Sequence, residues 1–123
     1  MKHLPKHLRP RWRYLAITLE TDGEGRGRDN VGDVLTRRSF QRELWYAGQN
    51  LLGDPGSADA DLTVVRFRFD REAGRGETIV RVRHGEVDRA RAAVACLHDI
   101  DDAAVGVAVR KVSGTIRAAE AAF

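Results

Sequence analysis

LTVVRFRF (62–69) and GETIVRVR (76–83) each alternate apolar residues with charged or polar ones, and a short charged link, Asp70 to Arg75, joins them. Side chains two residues apart share one face of a strand, so each run has an apolar side and an arginine side. Two such runs across a short link predict an antiparallel hairpin. Upstream of it, Phe40, Leu44, Ala47, Gly48 and Leu51 recur at helical spacing and predict a helix with those residues facing the core. That helix begins between Asp33 and Ser39, either of which can cap it, and Gly53 supplies a left-handed stop with Asp54-Pro55-Gly56 behind it. Further upstream, Trp12 to Leu19 alternates as a first strand that ends near Glu20. The segment between, TDGEGRGRDNVG (21–32), holds four glycines among charges and reads as a flexible loop.

Downstream of the hairpin, Glu86 to His98 reads as a second helix with an apolar stripe of Val87, Ala90, Val94 and Leu97. Ala104 to Lys111 alternates as a fourth strand with Val105, Val107 and Val109 on one side. A polar turn at Ser113-Gly114 then leads to a short alanine-rich helix ending in Phe123. The order βαββαβ predicts an α+β fold, a ferredoxin-like or RRM-like α/β sandwich. Its four-stranded antiparallel sheet has both helices on one face, and there is an additional C-terminal helix. The first and third strands are central in that plan. Leu15, Ile17 and Leu19 then point inward with Val65, Phe67, Phe69, Val80, Val82, Val105, Val107 and Val109. The open face receives Trp12, Tyr14, Arg66, Arg68, Arg81, Arg83 and Arg110, aromatics beside arginines, which is a platform RNA can use.

Length and charge bound the function. The 123 residues predict one domain with a core that needs neither disulfide nor metal. The formal net charge is only +3, so a nucleic-acid surface must come from clustering. Five Lys/Arg residues fall in the first thirteen positions and no acid precedes Glu20, which makes 1–11 a basic arm. Arg outnumbers Lys eighteen to three, and guanidinium groups fork onto phosphate and stack on bases. The lone Cys96 excludes a disulfide framework within the chain and fits a reducing compartment. The apolar run after the basic start closes at Glu20, too short for a secretory signal, and no stretch is long enough to span a bilayer. The expectation is a cytoplasmic protein without a membrane partner.

Catalytic constellations do not assemble from these residues. Gly23, Gly25 and Gly27 miss the spacing of a dinucleotide loop. Cys96, His98 and Asp99 crowd one helix end, but a zinc site needs further ligands from elsewhere. Ser39 and His84 have no orienting acid assigned to them. A ferredoxin-like acylphosphatase needs a phosphate-cradling loop after the first strand, and Arg26, Arg28 and Asn30 stand there without that pattern.

Three segments carry a family resemblance. Arg13-Tyr14-Leu15-Ala16 opens the first strand after a basic, proline-containing arm. Glu43-Leu44-Trp45, then Leu52-Gly53 and Gly56-Ser57-Ala58, close the first helix. His98-Asp99-Ile100 is followed by Val112-Ser113-Gly114-Thr115-Ile116-Arg117, the sharpest of the three. In order and spacing, from about Arg9 to the end, they resemble ribonuclease P protein component 2, the small RRM-like subunit of archaeal and eukaryotic ribonuclease P. The resemblance implies a non-catalytic subunit that binds and stabilises the catalytic domain of the ribonuclease P RNA. That RNA removes the 5′ leader from precursor tRNA and uses the magnesium itself, so this chain would bind no cofactor or metal. The implied partners are the RNA, precursor tRNA indirectly, and the TIM-barrel subunit ribonuclease P protein component 3, with self-association in a two-plus-two assembly.

The candidate backbone contacts are Lys2, Lys6, Arg9, Arg11 and Arg13 of the arm, Arg37 and Arg38 at the first helix start, and Arg81, Arg83, Arg110 and Lys111 on the sheet. The sheet arginines weaken as candidates if the terminal helix packs across them. Trp12 and Tyr14 are the base-stacking candidates. The third strand lacks the paired aromatics of a typical RRM, which favours reading RNA structure over single-stranded sequence. Trp45 is assigned to the core, or to a protein interface if exposed. The alternatives are a stand-alone RRM-like RNA-binding protein and a protein-interaction adaptor outside tRNA processing. Salt separates these readings: phosphate binding predicts a log–log slope of about −0.9 per duplex contact, and a protein adaptor almost none.

Overall fold

The alternating runs pair as their side-chain period requires. A computed structural model describes residues 11–21, 35–100 and 103–123. Its elements are β1 (Trp12–Thr21), α1 (Arg37–Ala60), β2 (Thr63–Asp70), β3 (Arg75–Arg83), α2 (Val87–Ala95), β4 (Asp99–Ile100), β5 (Ala103–Ser113) and α3 (Ile116–Glu120). The sheet order is β2-β3-β1-β5-β4, and every pairing is antiparallel. The central places of β1 and β3 agree with the sequence reading, while the expected four strands become five. The added strand, β4, is a two-residue edge with Asp99 opposite Ala104 and Ile100 opposite Ala103. Two residues are too few to show a periodicity. Burial of Ile100 and the bond from Val105 N–H to the His98 carbonyl (2.9 Å) hold the edge in place.

The main core lies between the sheet and the layer formed by α1 and α2. Leu15, Ile17 and Leu19 of β1 and Val80 and Val82 of β3 meet Phe40 and Leu44 of α1 and Ala90 and Val94 of α2. The Phe40 ring packs on Phe67 with centroids 5.9 Å apart. One inward residue differs from expectation. The β2–β3 register shifts between Val64 and Arg66, so the strand carries a bulge. A bulge inserts one residue and turns its side chain to the other face. Val64 therefore enters the core, and Val65 joins the opposite side. Buried Thr78 donates its hydroxyl to the Arg66 carbonyl beside the bulge at 2.6 Å, which satisfies both groups.

Helix α1 starts from a reciprocal cap. Ser39 N–H donates to Thr36 Oγ1 (3.1 Å) and Thr36 N–H donates to Ser39 Oγ (2.8 Å). Thr36 is thus the cap where Asp33 or Ser39 was expected; Asp33 lies outside the described residues. Gly53, with φ 74° and ψ 175°, breaks the helix as expected, and a second helical segment containing Pro55 in its first turn restarts at once. Next to this break the inward position passes to Leu52, and Leu51, expected in the core, is 46% exposed. Arg37 Nη2 donates to the Val64 carbonyl (2.8 Å), while Gln41 accepts from Val64 N–H (2.7 Å) and donates to the Leu62 carbonyl (3.2 Å). These bonds tie α1 to the outermost strand. Helix α2 ends three residues before the expected His98, where Cys96 and Leu97 N–H turn back to the Ala93 and Val94 carbonyls.

The face opposite α1 and α2 is partly covered. Ile116, Ala119 and Ala122 of α3 and the turn after it lie over Ala16 and Ile79, with Tyr14 and Val65 around them. The Thr115 hydroxyl caps α3 by accepting from Ala118 N–H at 3.1 Å. The arrangement is compatible with an RRM-like plan carrying a fifth strand and a third helix. No helix among the described residues is long and apolar enough to cross a membrane.

The hairpin is tightest at Gly76. A Cβ there would lie 2.8 Å from Phe69 Cα and 2.9 Å from its ring, and would press on the Arg68 carbonyl. Gly76→Ala is expected to destabilise the fold by about 1–3 kcal/mol through forced backbone shifts. Urea unfolding measures this; a loss under about 0.5 kcal/mol, the size of an ordinary surface change, would show that the hairpin yields without cost.

Candidate nucleic-acid interface

Register collects the cations. Trp12 pairs with Arg83, and Tyr14 pairs with Arg81 on one side and Ser113 on the other. Ala16 pairs with Lys111. Directly opposed residues share a face, so Trp12, Tyr14, Arg81, Arg83, Ser113 and Lys111 all lie on the α3 side of the sheet. They occupy the end of the sheet where β1 begins and β3 and β5 finish. Arg11 is exposed beside them, and its carbonyl accepts from His84 N–H at 2.8 Å. Arg13 points to the helix-layer face, opposite Val82, and its Nη1 returns to the Trp12 carbonyl (3.0 Å) beside Gly114. The arm end and the Val112-Ser113-Gly114 segment therefore meet at one place.

At this end Arg81 Cζ stands 4.0 Å from the Trp12 ring centroid and Arg83 Cζ 5.5 Å, both within cation–π reach. Arg83 also sits 3.7 Å from Asp61 Oδ2, an exposed and loose pair. Charge at the other end is matched. Arg68 Nη2 meets Glu77 Oε2 at 2.7 Å, and Arg66 Nε meets Glu120 Oε1 at 3.2 Å. Glu20 and Asp70 lie opposite Arg75 there. Of the two cations at Trp12, Arg83 is thus only loosely matched by acid and Arg81 meets no carboxylate among the described residues.

The remaining candidates are dispersed. Arg37 is engaged with the Val64 carbonyl, and Arg38 is exposed on the first turn of α1. Arg110 is the extra residue where the β1–β5 register shifts, and its Nε donates to Thr18 Oγ1 at 2.9 Å, toward the acidic end. Lys2, Lys6 and Arg9, like Arg26, Arg28 and Asn30, lie outside the described residues. Tyr14 is half-buried in the apolar cluster under α3, so its ring is not a bare stacking surface. Trp45 is 52% exposed and meets Tyr46, 49% exposed, edge-to-face at 5.3 Å.

Ser39 is committed to the α1 cap, and His84 is exposed at the end of β3. Cys96, His98 and Asp99 are all exposed, with His98 Nδ1 at 2.9 Å from the Cys96 carbonyl. Among the described residues no three His, Cys, Asp or Glu side chains gather as a metal site would require. Two residues of the cationic end escaped the sequence reading. Asp61, the partner of Arg83, lies 22 positions away and carries no local signal. Ser113 was visible in the turn motif, and its place on the strand opposite Tyr14 was the clue available.

These features define an α+β sheet protein that presents a cationic, arginine-stacked sheet end beside a capped C-terminal helix. The chain belongs to the Rpp14/Pop5 family, whose model matches residues 13–123. It is 59% identical to ribonuclease P protein component 2 of Halorubrum lacusprofundi over 120 residues, which cover 98% of this chain and 69% of that one. Identity to ribonuclease P protein component 2 of Natronomonas pharaonis is 55%, covering 98% and 68%. That of Methanosarcina mazei is 32% identical over 123 residues, covering 100% and 92%. Family and relatives together make this chain a protein subunit of ribonuclease P, working within a complex of RNA and other protein subunits.

Proposed function

We propose that this chain docks the cationic end of its RRM-like sheet on the ribonuclease P RNA and stabilises the RNA's folded catalytic domain, leaving cleavage and magnesium to the RNA. The observation that carries this reading is the stacking of Arg81 and Arg83 at Trp12, with Lys111 farther along the same sheet face and Arg11 next to Trp12 in the chain, while Arg66 and Arg68 toward the other end meet Glu120 and Glu77. Such a charge distribution suits a phosphate backbone, whose negative charges a protein neutralises with Arg and Lys. Cover from α3 leaves little of the sheet centre for unpaired bases, which favours recognition of RNA structure over sequence. Trp45 and Tyr46, exposed together on α1, are the residues we assign to a protein neighbour, with ribonuclease P protein component 3 as the proposed occupant and a two-plus-two assembly as the proposed form.

The test is cleavage of precursor tRNA by the matched ribonuclease P RNA at limiting magnesium, with component 3 present and this chain added or omitted. Cleavage is expected only with this chain, and is expected to fade when Arg11, Arg81 and Arg83 are replaced together. A folded wild-type chain without effect would move the function to the adaptor reading.

A further inference from the structure

The sheet end contains an arginine whose charge nothing described here answers. The Arg81 Nε is buried and has no hydrogen-bond partner, and no acid pairs with its guanidinium among the described residues. Its neighbours on the same face differ. Arg66, Arg68 and Arg110 each meet a side-chain oxygen at 3.2, 2.7 and 2.9 Å. The second polar side-chain atom left buried and unpaired is Ser113 Oγ, on a residue only 7% exposed. Arg81 and Ser113 are the two cross-strand neighbours of Tyr14, one on each side. Two unsatisfied polar atoms therefore bracket a single position of β1. Buried polar groups are rarely left unmatched, and one at a functional surface points to a missing partner.

Trp12 explains how Arg81 is held. With the guanidinium 4.0 Å from the ring centroid, a face of the indole is already occupied by a cation. A base cannot stack where the guanidinium lies. A guanidinium stacked on a ring keeps its donors at its edge, in a planar fork that matches a phosphate. Arg83, directly across from Trp12 and only loosely paired with Asp61, stands beside it as a second cation.

We propose that Trp12 is a positioning residue that holds Arg81, with Arg83 beside it, as a preformed fork for a phosphodiester of the RNA, and that it does not itself stack on a base. The proposal rests on the RNA-binding reading above and names the contact that reading uses. Holding the fork in advance reduces the side-chain freedom lost on binding.

Binding of the full chain to ribonuclease P RNA, and separately to a fully paired RNA duplex, over a series of KCl concentrations tests it. Arg81→Met is expected to weaken binding about tenfold and to lower the salt slope by about one. Trp12→Leu, which keeps an apolar side chain but removes the ring, is expected to weaken binding about threefold to tenfold, and Trp12→Phe to stay within about threefold of wild type. The deciding variant is the double change. If Trp12 works through Arg81, Trp12→Leu adds no further loss in the Arg81→Met background. Equal losses in both backgrounds, or a Trp12 effect that vanishes on the duplex, would overturn the proposal and make Trp12 a base-stacking residue, with RNA binding itself intact. Absence of salt-dependent binding by the wild-type chain would instead remove the RNA reading as well. The chain has two tryptophans, so Trp45→Phe leaves Trp12 as the sole indole and gives a readout that does not require Trp12→Leu to fold. Its emission is expected to change on adding RNA with Arg81 present and to stay unchanged with Arg81→Met. A change of equal size without Arg81 would count against the fork.

Discussion

Phe40→Ala should lower the free energy of unfolding by about 3–5 kcal/mol, the largest single-residue loss expected in this fold. Phe40 is the largest fully buried side chain among the described residues, set in α1 one turn after Thr36 of the Thr36–Ser39 cap. Its ring reaches Phe67 across the layer, at the part of the sheet where the β2 bulge changes which side chains point inward. Removing it leaves a cavity between elements that close it poorly. The helix cannot slide toward the sheet without breaking the Arg37 and Gln41 bonds to Leu62 and Val64. Domains of this size hold about 5–15 kcal/mol in all, so the change should remove a large share of it. Urea unfolding with an unchanged m-value would establish the loss as stability alone. A cost under about 1 kcal/mol would show that α1 is held by its hydrogen bonds to β2 more than by its apolar face.

The main architecture was legible because periodicities of 2 and 3.6 differ sharply along this chain. Alternation in 62–69 and 76–83 placed the hairpin, and the Leu15, Ile17, Leu19 triplet identified the core side of β1. What failed were single-residue interruptions of a period. The bulge at Val65 reversed the roles of Val64 and Val65, because alternation assumes an unbroken ladder. The Gly53 break was visible, but its effect on the preceding turn, where Leu52 replaces Leu51, depends on how the helix end meets the sheet. Strand β4 has too few residues to carry any pattern. For the interface, alternation put Arg66, Arg68, Arg81 and Arg83 on one face alike. Which of them are neutralised depends on partners distant in sequence, Glu120 for Arg66 above all, 54 residues away. Local pattern cannot separate a paired arginine from a free one, and that separation is what locates the candidate site.

Replacing Arg11, Arg81, Arg83 and Lys111 together by Gln is expected to weaken binding to ribonuclease P RNA about a hundredfold or more, since a charged hydrogen bond contributes about 1.5–3 kcal/mol and tenfold corresponds to about 1.4 kcal/mol. The salt slope should fall by about 3.6 if all four contact phosphate, because each contact to a duplex backbone accounts for a slope of about 0.9. Arg81 and Arg83 come from β3, Lys111 from β5 and Arg11 from the chain just before β1, and β1–β3 and β1–β5 register puts the first three on one face. A matched control is Arg66→Gln with Arg68→Gln, which removes two exposed charges from the same face that already meet Glu120 and Glu77. That pair should leave both affinity and slope nearly unchanged, because phosphate would have to displace an existing carboxylate. Ionic strength separates charge from shape. The Debye length shrinks from about 10 Å at 0.1 M to about 3 Å at 1 M, so the gap between the fourfold variant and wild type should narrow as salt rises. A gap of constant size would mean that the four residues act through packing around Trp12, and the phosphates would then have to be sought on another surface of the chain.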